Sequence, residues 1–140
     1  MSDDELVNAF ETLTLPFEQW THRAHVKVAL TYLKRHSFSE ALDKMRSGII
    51  AYNSKNQVPE GPTSGYNETT THAFLHLIAA TAAAYGQVIS ISDADAFCDN
   101  HPQLMTRHCL RFFYSPSRRM DPRGKTEFIE PDLTPLPKIV

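Results

Sequence analysis

Cysteine is scarce in this chain: Cys98 and Cys109 are the only two. Two cysteines cannot build a disulfide scaffold, so stability has to come from a packed core. A charge excess is missing as well. Fourteen Lys plus Arg oppose sixteen Asp plus Glu, for a formal net charge of −2, and no global field points to nucleic acid or anionic lipid. The opening Met1-Ser2-Asp3-Asp4-Glu5 is acidic where a secretory signal would be basic. With the low cysteine count, this reads as a reduced, cytoplasmic protein. Asp, Glu, Lys and Arg are absent from Thr69 to Ile91, a stretch long enough to resemble a membrane span. The histidines His72 and His76, with Gly86, Gln87 and several Thr and Ser, favour a buried core helix instead.

Other absences narrow the chemistry. No apolar/polar alternation is long enough for a sheet, although Gln87 to Ser92 and Thr126 to Ile129 would each pair briefly. There is no internal repeat or low-complexity tract, no Gly-rich phosphate loop, no Gly-x-Ser-x-Gly elbow and no His-Glu-x-x-His.

What the chain does have is helical periodicity and well-placed caps. At 140 residues it has the size of one domain. Leu6, Val7, Phe10 and Leu13 predict a short amphipathic helix behind Ser2 as N-cap. Thr21 caps a second helix running to about His36, with Val26, Ala29, Leu30 and Leu33 on one side and Arg23, Lys27, Thr31 and Lys34 on the other. Ser37-Phe38-Ser39-Glu40 follows the capping-box pattern and starts a third, through Leu42, Met45, Ile49 and Ile50 toward Tyr52. Those two helices, joined by almost no loop, should pack as an antiparallel pair.

Asn56 to Gly65, with Pro59, Gly61, Pro62 and Gly65, predicts a surface loop. Asn67 caps a central helix from Glu68 to Tyr85, closed by Gly86 in the left-handed conformation. Ser92 caps a helix from Asp93 to about Asn100, and His101-Pro102 separates it from a last helix ending near Phe113. Beyond Tyr114 lie five of the nine prolines, which predict an extended tail, 114–140, wrapped on the bundle. The expected fold is all-α: a compact bundle of about five to six helices with a Pro-rich tail.

The residues that point to chemistry are His22 and His25, at i and i+3, with His22 central on the apolar side of its helix and His25 near the edge. Glu68 and His72, one turn apart at the start of the central helix, would complement them. Inward side chains on facing helices are how bundle cores hold metals, and this donor set suits one divalent ion: Zn, Fe, Ni or Mn. A di-iron site is disfavoured, because it draws on about four carboxylates and Glu-x-x-His pairs, and no such pair occurs. His76 lies near the same face and offers a substitute for His72. Each residue also has a structural reading: a buried histidine bonds a backbone carbonyl, and Glu68 suits a helix dipole.

Trp20, Tyr66, Asn67 and Thr71 are the expected substrate-binding residues, since Trp20 can wall a pocket beside Phe17. The others, with Thr69 and Thr70, crowd polar atoms at a helix start able to receive an anion. The basic group Arg107, Arg111, Arg118, Arg119, Arg123 and Lys125 reads first as a solvated surface or as partners of acids such as Asp93, Asp95 and Asp99, and second as an anion holder. Cys98 with His101, and His108 with Cys109, make a weak zinc pattern, because adjacent helical residues diverge.

Three motifs, Trp20-Thr21-His22-x-Ala24-His25, Tyr66-Asn67-Glu68-Thr69-x-Thr71 and Glu130-Pro131-Asp132-x-x-Pro135-Leu136-Pro137, resemble those of an uncharacterised family of small helical proteins. The resemblance covers about Phe17 to Pro137 and implies one domain that includes the tail. That family commonly has histidine where this chain has Asn67, so position 67 is either a replaced ligand or a cap that accepts both. It implies no substrate, cofactor or catalytic residue.

Two functional expectations follow. The first is an enzyme for a small polar substrate, of hydrolase or lyase type. In it some of His22, His25, Glu68 and His72 hold a single metal, and Glu68 or His72 serves as general base. The alternative is a non-catalytic binding or interaction module, with a buried His–Glu hydrogen-bond network and a small anionic ligand or protein partner. A homodimer through the alanine-rich helix is compatible with either.

Overall fold

The computed structural model describes residues 1–86 and 93–139. Among these the chain is an all-α bundle of six α-helices: α1 Asp3–Glu11, α2 His22–Arg35, α3 Phe38–Lys55, α4 Glu68–Tyr85, α5 Ala94–Asn100 and α6 Pro116–Arg119. Tight 3₁₀ turns cover Phe17–Gln19, Pro102–Leu104, Arg107–Phe112 and Pro122–Lys125.

Short polar side chains set the helix starts by accepting otherwise orphaned N–H groups. Ser2 accepts from the Glu5 amide in a full capping box. Thr21 accepts from Ala24, Ser37 from Glu40 and Asn67 from Thr70. At α5 the cap is Asp93, which accepts from Ala96; Ser92, the expected cap, and the brief strand expected over 87–92 lie outside the described residues. Thr126 to Ile129 forms no strand.

The buried side chains form one core: Phe10 of α1, Val26 and Leu30 of α2, Met45 and Tyr52 of α3, with Leu75 and Ile78 of α4. The helix at the middle is α2, not α4, because α2 packs against α1, α3, α4 and α5. Its buried arc is therefore wider than the periodicity predicts. Val28 is fully buried, and Thr31, expected on the polar side, is buried as well, its hydroxyl donating back to the Lys27 carbonyl at 2.8 Å. Ile50, expected inside, faces solvent.

Three other elements differ from expectation. Gly86 has φ −62° and continues the helical geometry, its N–H bonding the Ala82 carbonyl, so it is not a left-handed cap. The helix expected to end near Phe113 is a pair of 3₁₀ turns: Pro102 takes the first position of one, where its missing N–H costs nothing, and Thr106 caps the other by accepting from the His108 amide. After Tyr114, Pro116 and Pro122 each open a short helical turn, at the position where a missing N–H costs nothing. Thr126 to Ile139 carries no regular element.

That last segment is tied to α4. Thr69 Oγ1 lies 2.8 Å from the Gly124 carbonyl and 3.0 Å from that of Glu127, and accepts from the Ile129 amide at 3.2 Å. His76 Nε2 donates to the Pro137 carbonyl at 2.6 Å. The loop before α4 is held too. Lys125 donates to the Ser64 and Tyr66 carbonyls at 2.7 and 2.8 Å, and pairs with Glu60. Gly65 sits there at φ +83°, where a Cβ would collide with the Glu60 carboxylate. Among the described residues no helix is long and apolar enough to cross a membrane.

Candidate ligand-binding cavity

A cavity of about 300 Å³ opens between α2, α3, the first half of α4 and the turn that carries Arg107. Its inner wall is apolar, from Val26, Ala29, Met45, Ile49, Phe74 and Ile78. Its polar side is made by His22, His25, Asn53, Asn67 and Thr71. Phe17, Trp20, Tyr66 and Arg107 also line it, Phe17 and Arg107 being exposed to solvent.

His25 is fixed from two sides. Its ring lies on Trp20, with centroids 3.8 Å apart and a 30° tilt, and Trp20 in turn stacks on Phe10 at 4.5 Å. Its Nδ1 is 2.9 Å from the Thr21 carbonyl. A carbonyl only accepts, so Nδ1 carries the proton and Nε2 is bare. Burial pushes this imidazole down to about 4, with Arg107 and His22 adding to the effect against the Thr21 bond. It is neutral at pH 7.

His22 is fixed the opposite way round. Its Nε2 lies 2.8 Å from the Leu104 carbonyl and must donate, which leaves Nδ1 bare. The ring meets Phe74 edge-on at 4.9 Å. Burial again lowers the pKa, opposed by the Leu104 bond and assisted by Arg107. The Leu104 contact also has a structural role, because it docks the Pro102–Leu104 turn on the start of α2 and brings Arg107 to the cavity. Among the described residues no buried side-chain nitrogen or oxygen lacks a partner. The bare nitrogens of these half-buried rings therefore stay within reach of water.

Glu68 and His72 are elsewhere. Neither lines the cavity. Glu68 is buried and clamped by Arg46, whose Nε and Nη2 donate to its two oxygens at 2.8 and 2.7 Å, while the Tyr66 hydroxyl donates to Oε1 at 2.6 Å. The Arg46 bonds hold its pKa below the usual carboxylate range despite burial. His72 stacks on Phe128 at 3.9 Å, under the tail. Burial lowers its pKa too.

The reason lies in helix geometry. At roughly 100° per residue, Asn67, Thr71, Phe74 and Ile78 fall within one narrow arc of α4, and Glu68 and His72 sit about 90–130° further round. The first arc faces α2. The expected four-residue metal centre of His22, His25, Glu68 and His72 thus does not assemble: the two α2 histidines line the cavity with the first arc of α4, Glu68 and His72 lie on another face, and among the described residues no three His, Cys, Asp or Glu converge. His76, the suggested substitute, is bonded to the tail. Cys98 and His101 are both buried, with the Cys98 thiol pushed up to about 11 by burial, and they gather no further donors among the described residues.

No family model, curated protein or solved structure matches the chain. The cavity itself has to carry the functional reading.

Of the expected substrate-binding residues, Trp20, Tyr66, Asn67 and Thr71 all line it. Asn67 also caps α4 through Oδ1, which leaves its amide N–H₂ available. Sequence reasoning missed Arg107 as a lining residue. Among the described residues it is the only Lys, Arg, Asp or Glu on the wall. The ion pairs of the chain use Arg23, Lys27, Arg35, Arg46, Arg123 and Lys125, so Arg107 has no carboxylate among the described residues. The acids Asp95 and Asp99 pair with Arg23, not with the basic run after His101. No local pattern separates Arg107 from its basic neighbours; its place depends on the His22–Leu104 bond. Asn53 of α3 was missed for the same kind of reason.

Proposed function

We propose that this chain is a binding module for a small organic anion, held in the cavity with its acidic group on Arg107 and its apolar body against Val26, Ile49, Phe74 and Ile78. The observation that carries the reading is the charge pattern of the wall: one guanidinium without a carboxylate, neutral imidazoles, and no acid among the described residues. A cation left at the mouth of an apolar cavity favours a ligand that supplies the missing negative charge and an apolar remainder.

The metal-dependent enzyme is the weaker reading. Glu68 is already neutralised by Arg46, and the bare nitrogens of His22 and His25 are two donors where a catalytic zinc site uses three from the protein. The carboxylate and the second helix's histidine, on which that mechanism depended, belong to the face that meets α3 and the tail.

Calorimetric titration with phenylacetate and with benzyl alcohol tests the proposal. The expected result is saturable binding of the acid, weakened about tenfold by Arg107→Gln, as loss of one charge-assisted hydrogen bond predicts. Arg107 is exposed, so the variant keeps its fold. Equal binding of the alcohol and the acid, or no effect of Arg107→Gln, would overturn it.

A further inference from the structure

The two histidines on the cavity wall share a property that a simple anion site does not need. Each ring spends its one N–H on a backbone carbonyl, His25 on Thr21 and His22 on Leu104. Each is left with a lone pair, unpartnered among the described residues and reachable by water. The wall therefore presents two strong acceptors beside one cation. Backbone carbonyls hold the tautomers in place, so neither ring turns its N–H inward without losing a hydrogen bond.

An anion without donor hydrogens would strip water from these nitrogens and return nothing, and leaving an acceptor unpaired is costly. Inorganic phosphate or sulfate fits the apolar inner wall no better. Resting on the anion-binding reading above, we infer that the ligand is an organic acid that also carries a hydroxyl or N–H group, with the acid on Arg107 and the donor hydrogen on the bare nitrogen of His25 or His22. The apolar segment between the two polar ends lies against Phe74 and Ile78. Hydroxy acids and N-H-bearing acids with an aromatic or short aliphatic middle belong to this class; simple fatty or aryl acids still meet Arg107 but bind more weakly, because they leave the bare nitrogens unpaired.

A matched series separates this from the parent reading. Two frames are titrated by calorimetry into the wild-type chain: 4-hydroxyphenylacetate against phenylacetate and 4-methoxyphenylacetate, and 6-hydroxyhexanoate against hexanoate and 6-methoxyhexanoate. In at least one frame the hydroxy acid should bind about tenfold more tightly than both of its partners. His25→Phe, which keeps a ring on Trp20, should reduce that preference while unsubstituted acid still binds, unless the donor is received by His22, in which case His22→Phe does so. A readout without substitution guards against misfolded variants: the ¹⁵N resonance of the bare nitrogen in the wild-type chain should move upfield with the hydroxy acid and stay put with the methoxy acid. Acids that bind with no preference for the hydroxyl in either frame overturn the donor inference and leave the anion reading standing. Failure of every acid overturns both.

Discussion

Arg46 and Glu68, 22 positions apart in sequence, form a two-pronged ion pair between α3 and α4, Nε to Oε1 at 2.8 Å and Nη2 to Oε2 at 2.7 Å. The carboxylate is buried while the guanidinium is partly open to solvent. Arg46→Ala would strand a buried negative charge, and Arg46→Lys would lose the fork that matches both oxygens. Because solvent reaches the site from the arginine side, the expected cost of Arg46→Ala is about 2 kcal/mol, below the range for a fully buried pair. Urea unfolding measures it. Arg46→Ala with an unchanged midpoint would show that the clamp contributes nothing to stability.

Protonation should destabilise the fold in a defined window. His25 falls to about 4, and burial also lowers His22, His72 and His101, against 6.5 for an unfolded histidine. Between those values the unfolded chain binds more protons than the native one, so stability rises with pH. It is complete above about pH 7 and declines as pH falls through 6.5 toward 4, by at most about 1.4 kcal/mol per histidine for each pH step of one. The depressed carboxyl of Glu68 acts in the same direction but only below its ordinary value near 4.5. Urea midpoints at pH 7.5 and pH 5.5 check the histidine part: a lower midpoint at pH 5.5 is expected, with a smaller difference in His25→Phe.

Thr69 ties the tail to α4 with a single hydroxyl. Its one proton serves the Gly124 or the Glu127 carbonyl, while its oxygen accepts from Ile129. Thr69→Val keeps the shape and removes both roles, at a cost of about 1–2 kcal/mol. Brief proteolysis should then cut the segment after Lys125 faster than in wild type, with the helices preserved by circular dichroism. Identical cleavage rates would mean that other contacts hold the tail.

Gly48 lies against the aromatic stack behind the cavity. A Cβ there would stand 2.5 Å from Phe10 Cε2 and 2.7 Å from Cζ, so Gly48→Ala has to displace the Phe10 ring, which stacks on Trp20. Overpacking of this kind costs about 1–3 kcal/mol. Trp20 is the chain's single tryptophan, and its emission reports the displacement directly. The expected outcome is a lower melting temperature with a changed emission maximum; an unaltered spectrum would mean that the stack absorbs the methyl elsewhere.

The helices could be read from local chemistry because their ends are decided locally. Ser2, Thr21, Ser37 and Asn67 each satisfy an amide three positions on, and that spacing is visible in the chain itself. Legibility failed where a partner comes from far away. Thr31 looked solvent-facing because one helix's periodicity says nothing of how many neighbours surround it. Ser37 and Glu40 read correctly as a start, but the same residues gave no hint that α2, rather than α4, would sit in the middle.

For the site, sequence alone placed Trp20, His22, His25, Asn67 and Thr71 at the openings of α2 and α4, through caps and turn spacing; that all five line one cavity was decided by the tertiary structure. Tertiary structure decided which face of α4 meets α2, and with it the separation of Glu68 and His72 from the histidine pair. It also decided the arrival of Arg107, through a hydrogen bond spanning 82 positions. Periodicity specifies a helix's own faces to within a residue or so, whereas the rotation of one helix against another depends on how all the neighbouring side chains pack at once.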